Sequence, residues 1–208
     1  MAARLMLVLA ALFCLPAELL AVSPDRQLGT SGLAFYKHVS ALHQWLGIHP
    51  DAAARSRLRF HYEANVLQSI GRDAYGRQHF LAPAAAEAWH AMDQAAREDG
   101  VRFLVVSSYR SAEYQAHLIR RRLEEGRAPE RVFASIALPG YSEHHSGCAV
   151  DLASEEQPQL GAAFRHTRAY EWLHRHAADF GFRESYPRGN SKGIIPEPWH
   201  WFHLSCAD

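Results

Sequence analysis

This sequence of 208 residues has no excess of charge of either sign, which limits its possible partners. It contains 22 basic and 22 acidic residues, so its formal net charge is zero. No basic surplus therefore indicates a nucleic-acid partner or an anionic membrane surface. Internal repeats and low-complexity tracts are also absent. The hydrophobic fraction of 48% and the charged fraction of 21% are instead typical of one folded soluble domain with a real core.

The apolar run at the N terminus is too short for a membrane span. Arg4 precedes the apolar residues 5–15, which are followed by Pro16 and by small residues near Ala21. A membrane-spanning helix usually needs about 20 apolar residues, whereas a basic start, a short apolar run and small residues are typical of a signal peptide. We therefore predict that residues 1–22 are a signal peptide, that the mature chain has no transmembrane span and that the protein is secreted or periplasmic. An uncleaved anchor or a buried N-terminal helix is the alternative.

Cysteine is scarce, with three residues in the whole chain. Removal of the signal peptide would take Cys14 with it and leave Cys148 and Cys206. Neither lies in the CxxC spacing that is typical of zinc ligands. An oxidising compartment would allow the two to form a disulfide, and two separate buried thiols are an equally good interpretation.

Apolar periodicity, capping residues and glycines predict an α+β fold, with a small antiparallel sheet flanked by helices. Residues 23–80 are interpreted as an N-terminal extension that packs on a main domain over 81–208. Helices are predicted over 31–46, from Pro83 to about Asp99, from the N-cap Ser111 to about Glu125, and from the N-cap Thr167 to Gly181; strands are predicted over 101–106, 148–152 and 199–204.

The first segment that carries chemistry runs from Ser142 to Asp151. His144 and Asp151 are seven residues apart, so they would lie on opposite faces of one continuous strand. They can converge only if His144 lies in a loop and Gly147 turns the chain into the strand that bears Asp151. The small Ala149 shares a face with Asp151 and leaves room there. The alternative is a histidine in a turn and an ordinary polar strand residue.

The second segment places Glu197 three residues before His200. Pro196 and Pro198 favour a turn followed by a strand, in contrast to the H-E-x-x-H helix of many zinc peptidases. His200 could then bind a metal from the strand while Glu197 approaches from the turn without binding it. An aromatic core strand with hydrogen-bonded histidines is the alternative.

Together the two segments meet the chemical demands of a hydrolytic zinc site. Such sites use three nitrogen or oxygen ligands and keep one position for water, and His144, Asp151 and His200 provide that set for one zinc ion per chain. The metal lowers the pKa of water toward about 7, and Glu197 would act as the general base. Neighbouring aromatic residues (Trp199, Trp201 and Phe202) would keep the site dry.

Three motifs resemble those of the VanY-type D-alanyl-D-alanine carboxypeptidases, zinc peptidases that share a fold with hedgehog signalling proteins. The S-x-H-x-x-G-x-A-x-D pattern ends at Asp151, and E-x-W-H runs from Glu197 to His200. The S-x-Y-R-S-x-x-x-Q pattern includes Arg110 and Gln115. The resemblance covers roughly residues 81–204. It implies a hedgehog/D,D-peptidase-like fold, with His144, Asp151 and His200 as zinc ligands and Glu197 as the base.

The resemblance also implies roles in substrate binding. Arg110 would hold the scissile carbonyl and stabilise the developing oxyanion, which suits its rigid set of donors. Gln115 would contact the peptide backbone, Ser142 the terminal carboxylate and Tyr109 the wall of the pocket. The implied reaction is removal of the terminal D-Ala from peptidoglycan stem peptides.

Other interpretations stay open within the same fold. A cross-link endopeptidase or a D,D-dipeptidase would use the same catalytic residues, and a non-catalytic zinc module would not need Glu197 or Arg110. His145 and His203 add further imidazoles close to the ligands. His145 is adjacent to His144, and adjacent residues in an extended chain point apart. His203 lies three positions after His200 and would face away from it in a regular strand, so both are interpreted as supporting or structural residues.

Overall fold

A four-stranded antiparallel sheet lies at the centre of the protein. The structure, a computed structural model, describes residues 32–49 and 57–207, so the predicted signal peptide lies outside the described residues. The strands are β1 (Gln68–Arg72), β2 (Gln78–Leu81), β3 (Leu104–Ser107), β4 (Ala149–Ala153), β5 (Phe182–Glu184) and β6 (His200–His203); the helices are α1 (Gly32–Trp45), α2 (Pro83–Glu98), α3 (Ala112–Glu124), α4 (Pro129–Ser135) and α5 (Arg168–His176). The strand order in the sheet is β3-β4-β6-β5, and β1 and β2 form a separate antiparallel hairpin. Helices flank the sheet, which confirms the predicted fold class.

The main core joins α2 and α5 to the sheet. Trp89 and Met92 of α2 pack with Leu152 of β4, Trp172 of α5 and Phe202 of β6, and all five are buried. Ala85, Trp89, Met92 and Ala96 of α2 are buried at intervals of four, three and four, which forms one apolar helix face. Full burial of side chains of this size stabilises the fold by about 1.5–3 kcal/mol each. The core therefore holds β4 and β6 firmly in the middle of the molecule.

Local signals set the helix starts correctly, but the first strand of the main sheet starts later than predicted. Ser111 accepts a hydrogen bond from the Tyr114 amide at 3.1 Å and so caps α3, as predicted. The strand predicted over 101–106 begins instead at Leu104, which pairs with Ala153. Residues 101–103 do not pair, although the side chains of Val101 and Phe103 are buried in the core.

The described part of the N-terminal extension packs against the main domain. Phe35 and Val39 of α1 form a small apolar cluster with Ala112 at the start of α3. The His61 amide donates to the Gly140 carbonyl at 2.7 Å, and the Ala64 amide donates to the His145 carbonyl at 2.8 Å. The boundary predicted between residues 80 and 81 falls inside β2, so the hairpin belongs to both segments.

A disulfide joins Cys148, just before β4, to Cys206, just after β6. Their Cα atoms are 6.2 Å apart across a sequence separation of 58 residues. The structure therefore shows the disulfide rather than two separate buried thiols.

None of the helices within 32–49 and 57–207 has the length and apolar character needed to cross a membrane.

Candidate active site

The pairing of β4 with β6 brings two of the three candidate ligands together. Asp151 of β4 lies directly opposite His200 of β6. His144 lies on a single turn of 3-10 helix, Glu143–Ser146, just before β4. Gly147 ends this turn with a φ of 71°, and a Cβ atom there would lie 2.9 Å from the Ala82 amide nitrogen. Glycine is therefore required where the chain turns from His144 into the strand of Asp151, as the sequence predicts.

The three side chains form a compact, buried donor cluster. His144 Nε2 lies 3.2 Å from Asp151 Oδ2, and His200 Nδ1 lies 2.9 Å from Asp151 Oδ1. One ligand atom from each residue lies within 4.8 Å of the other two. Donor atoms about 2.0–2.1 Å from a tetrahedral zinc ion are about 3.3 Å apart. The spacing and the donor types of this cluster therefore fit zinc.

Hydrogen bonds fix which nitrogen of each imidazole is free to bind a metal. His144 Nδ1 donates to the Ser108 carbonyl at 2.6 Å, while its buried Nε2 has no hydrogen bond. His200 Nε2 donates to Glu143 Oε2 at 2.9 Å, which leaves Nδ1 facing Asp151. Both rings thus direct their second nitrogen at the Asp151 carboxylate, where a bound metal would take the place of the His200 Nδ1 proton. Outer partners of this kind are a regular feature of histidines that bind zinc.

Glu143 is a functional candidate that the sequence reasoning missed. Its side chain is buried, and besides the contact with His200 its Oε1 accepts a hydrogen bond from Lys192 Nζ at 3.1 Å. Burial opposes its ionisation, but the hydrogen bond and charge of His200, with the charge of Lys192, hold the pKa of Glu143 well below its usual range. An acid directly before a ligand histidine was the available signal. Its partner His200 is 57 residues away, so the sequence alone did not reveal the contact.

Glu197 lies on the turn before β6 and lines the same cavity as the three candidate ligands. Its backbone is fixed, because its amide donates to the Tyr186 carbonyl at 2.9 Å and its carbonyl accepts from the His200 amide at 3.0 Å. Burial raises the pKa of Glu197 to about 7, although the positive charges of His200 and Arg110 oppose the rise. A carboxyl group with this pKa can both accept and donate a proton near neutral pH.

Arg110 follows β3, whose register with β4 is irregular between Val105 and Ser107. Arg110 Nη1 lies 3.6 Å from Asp151 Oδ2 and donates to Ser107 Oγ at 3.3 Å. Its Nε is buried and has no hydrogen-bond partner. The guanidinium group therefore lines the cavity beside the Asp151 carboxylate, and its Nε–H is available to a ligand.

The remaining predicted contact residues divide into two groups. Ser142 and Gln115 line the cavity, and the Oε1 atom of Gln115 is buried without a partner while its Nε2 donates to the Ala137 carbonyl at 2.7 Å. Tyr109 is not among the residues that line the cavity. Its hydroxyl donates to Glu63 Oε2 at 3.1 Å, so it contacts the N-terminal extension.

His145 and His203 lie outside the donor cluster and make structural contacts. His145 Nδ1 donates to the Arg110 carbonyl at 2.7 Å, and its Nε2 accepts from the Gly140 amide at 3.1 Å. Both nitrogens are therefore occupied in the neutral ring. The ring of His203 packs against Phe182, with ring centroids 4.9 Å apart.

Comparison with known proteins places this site in a family. Residues 78–205 match the family model of the VanY D-alanyl-D-alanine carboxypeptidases. The chain belongs to this VanY family. It is 33% identical over 120 residues to a D-alanyl-D-alanine carboxypeptidase of Enterococcus faecalis, a match that covers 53% of this chain and 43% of that protein. It is 32% identical over 132 residues to a bifunctional D-Ala-D-Ala dipeptidase and D-Ala-D-Ala carboxypeptidase of Enterococcus gallinarum, covering 60% of this chain and 67% of that protein.

Solved structures support the same assignment of the fold. The LD-carboxypeptidase LdcB superposes with a TM-score of 0.62 at 27% identity, covering 69% of this chain and 70% of that chain. A mutant of the D,D-pentapeptidase VanY from the VanB-type resistance cassette, in complex with Zn(II), gives a TM-score of 0.54 at 26% identity, covering 70% of this chain and 80% of that chain. The match to the Enterococcus faecalis protein spans less than half of that relative's length.

Proposed function

We propose that this protein is a zinc-dependent D,D-carboxypeptidase that removes the terminal D-Ala from peptidoglycan stem peptides. The observation that carries the proposal is the convergence of one imidazole nitrogen each from His144 and His200 on the carboxylate of Asp151, with Glu197 in the same cavity. Pure metal binding would not need Glu197 or Arg110. A related VanY protein has been solved in complex with Zn(II), which supports zinc as the metal. The three ligands form one site, so we expect one zinc ion per chain.

Different residues of the chain would have separate roles in hydrolysis. Zinc bound by His144, Asp151 and His200 would supply Lewis-acid activation of water. The Glu197 carboxylate accepts a proton from the attacking water and then passes it to the nitrogen of the departing D-Ala. The Arg110 guanidinium donates hydrogen bonds to the scissile carbonyl oxygen as negative charge develops there. Burial of the whole cluster excludes bulk water and strengthens each of these interactions.

Two residues of the cavity lining would contact the peptide substrate. Ser142 would bind the terminal carboxylate, and the unpartnered Oε1 of Gln115 would accept a hydrogen bond from the peptide backbone. The cavity has a volume of about 860 Å³. This volume lies in the upper part of the range of about 300–1,000 Å³ that is typical of ligand pockets. The cavity therefore has room for a substrate longer than a dipeptide.

We also propose that the protein is located outside the cytoplasm. The disulfide between Cys148 and Cys206 is of a kind that forms and persists in oxidising compartments. Together with the signal-peptide pattern of residues 1–22, this supports a secreted or periplasmic enzyme. The peptidoglycan substrate would be accessible there.

The decisive experiment is product analysis of the purified, zinc-loaded protein with defined stem peptides. We expect release of one D-Ala from a pentapeptide and no cleavage of the free D-Ala-D-Ala dipeptide or of cross-linked dimers. Glu197→Gln should keep about one zinc per chain and lose turnover by about 10²–10⁴-fold, because the base does not bind the metal. Glu184→Gln on β5 is the matched control and should keep both. Full activity of Glu197→Gln would disprove the mechanism, and absence of D-Ala release from the pentapeptide would disprove the function.

A further inference from the structure

We propose that Arg122, Arg127 and Arg131 form a carboxylate-binding subsite at the far end of the active-site cavity. It would bind the free carboxylates that a stem peptide carries outside its terminal D-Ala-D-Ala. The inference rests on the proposed function, because it names the chemical form of the substrate that this same site prefers. These three residues are called the arginine wall below.

The arginine wall is continuous with the catalytic end of the cavity. One cavity is lined both by the three candidate zinc ligands and by the arginine wall. Along α3 the lining residues Gln115, Leu118 and Arg122 recur at intervals of three and four, so they lie on one helix face. Seven residues of helix rise by about 10 Å, which equals about three residues of extended peptide. A stem peptide held at Gln115 therefore has the length to reach Arg122.

Charge is segregated along this cavity. The acidic residues that line it are Glu143, Asp151 and Glu197, all at the catalytic end. Glu125 is the acidic partner of the arginine wall: its Oε2 lies 3.4 Å from Arg122 Nη1 and 3.3 Å from Arg127 Nε, and it does not line the cavity.

The arginine wall has unused positive charge. Arg131 forms no ion pair with any residue in the described ranges, so three positive charges face one negative charge and leave a surplus of two. The side chains of Arg122 and Arg127 are 37% and 56% exposed, so their ion pairs with Glu125 are weak and open to exchange. A substrate carboxylate can replace Glu125 at modest cost.

The apolar residues of the cavity lining and the chemistry of arginine point to a carboxylated peptide as the ligand. Leu160, Ile195 and Trp199 line the cavity and offer apolar contact to a peptide such as one rich in alanine. A guanidinium group binds carboxylate through two parallel hydrogen bonds. Stem peptides carry a free carboxylate on the γ-linked D-Glu and, in the diaminopimelate type, a second one on the third residue. Amidation of these groups removes the charge without changing the backbone.

The test compares a pentapeptide that has both carboxylates free with the same pentapeptide amidated at both positions. We expect the native protein to prefer the carboxylated form by ten-fold or more in kcat/KM, mainly through KM, since hydrogen bonds to charged groups are strong. In the double variant Arg127→Gln and Arg131→Gln, the ratio of the two kcat/KM values should fall toward one. Arg121→Gln, exposed on α3 and outside the cavity lining, is the matched control and should keep the native ratio.

Equilibrium binding separates this inference from the proposed function. The same two peptides are titrated into zinc-loaded Glu197→Gln protein, with and without the two arginine substitutions, so no turnover is required. A ten-fold preference in Kd for the carboxylated peptide that disappears with the substitutions supports the subsite even if D-Ala release fails. Equal Kd values for the two peptides in the protein that retains all three arginines overturn the subsite, whatever the catalytic result.

Discussion

At the scale of single residues, the hydrogen-bond partners of His144 and His200 decide how the candidate metal site is built. The Ser108 carbonyl and the Glu143 carboxylate each accept one imidazole N–H and so leave the other nitrogen free. Besides accepting this hydrogen bond, Glu143 raises the basicity of His200 through its negative charge. Lys192 in turn fixes Glu143 from the other side. Glu143 is therefore inferred to be a positioning residue for the ligand His200.

Glu143→Gln should weaken zinc binding by about 10–100-fold, because loss of the charged outer partner lowers the basicity of His200 and loosens its orientation. The measurement is competition for zinc against a chromophoric chelator, which reports affinity independently of turnover. Glu184→Gln provides the control, since Glu184 pairs with Arg165 and not with the ligands. Native zinc affinity in Glu143→Gln would remove Glu143 from the metal site.

At the scale of secondary-structure elements, the N-terminal extension braces the start of α3. Glu63 Oε1 accepts the Ala112 amide at 2.6 Å and its Oε2 accepts the Tyr109 hydroxyl at 3.1 Å. These two contacts lie on either side of Arg110 in the sequence. A carboxylate at a helix N terminus satisfies a free amide and interacts favourably with the helix dipole. The extension thereby helps to fix the segment that carries Arg110 into the cavity.

Glu63→Ala should destabilise the protein by about 1–2 kcal/mol, which is the usual effect of losing a helix-capping group. It should also lower kcat/KM, because the Arg110 segment loses its support. Chemical unfolding measures the first effect and D-Ala release the second. Glu87→Ala, exposed on α2, is the control and should change stability little. Native stability and activity in Glu63→Ala would show that the extension does not stabilise the start of α3.

The starts of the helices could be predicted from the sequence, whereas the start of β3 could not. Pro83 and the cap residues Ser111 and Thr167 mark helix starts because they act on their own first turn. The start of β3 at Leu104 depends on its partner Ala153, which is 49 positions away. A β-rich apolar run such as 101–106 identifies a strand, but its hydrogen-bonded partner decides where the pairing begins.

At the scale of the whole molecule, buried neutral histidines make the fold sensitive to acid. Burial lowers the pKa of His61 to about 4 and that of His145 to about 3. A folded pKa below the unfolded value of about 6.5 means that the unfolded chain binds more protons between these values. Stability therefore falls as the pH decreases from about 6.5 toward 4.

The contribution of His61 can be isolated by His61→Leu. When the pH decreases from 7.5 to 4.5, the free energy of unfolding of the native protein should fall by roughly 2 kcal/mol more than that of His61→Leu, because the pKa of His61 is lowered in the folded state. Urea unfolding at each pH, with zinc chelated, measures the difference, and any constant effect of the substitution cancels. His90→Leu, exposed on α2, should keep the native pH dependence. Parallel curves for the native protein and His61→Leu would contradict the prediction.

The sequence by itself determined which residues are candidates for the chemistry of this protein, because donor types, short spacings and turn-forming residues are properties of local segments. His144, Gly147 and Asp151 in one segment, and Glu197 and His200 in another, defined the candidate site. The tertiary structure alone decided how distant segments meet: Glu143 against His200, Tyr109 turned toward Glu63, the arginine wall at the end of the cavity, and Cys148 paired with Cys206. Those contacts join residues far apart in the chain, and the packing of the sheet and helices sets their distances.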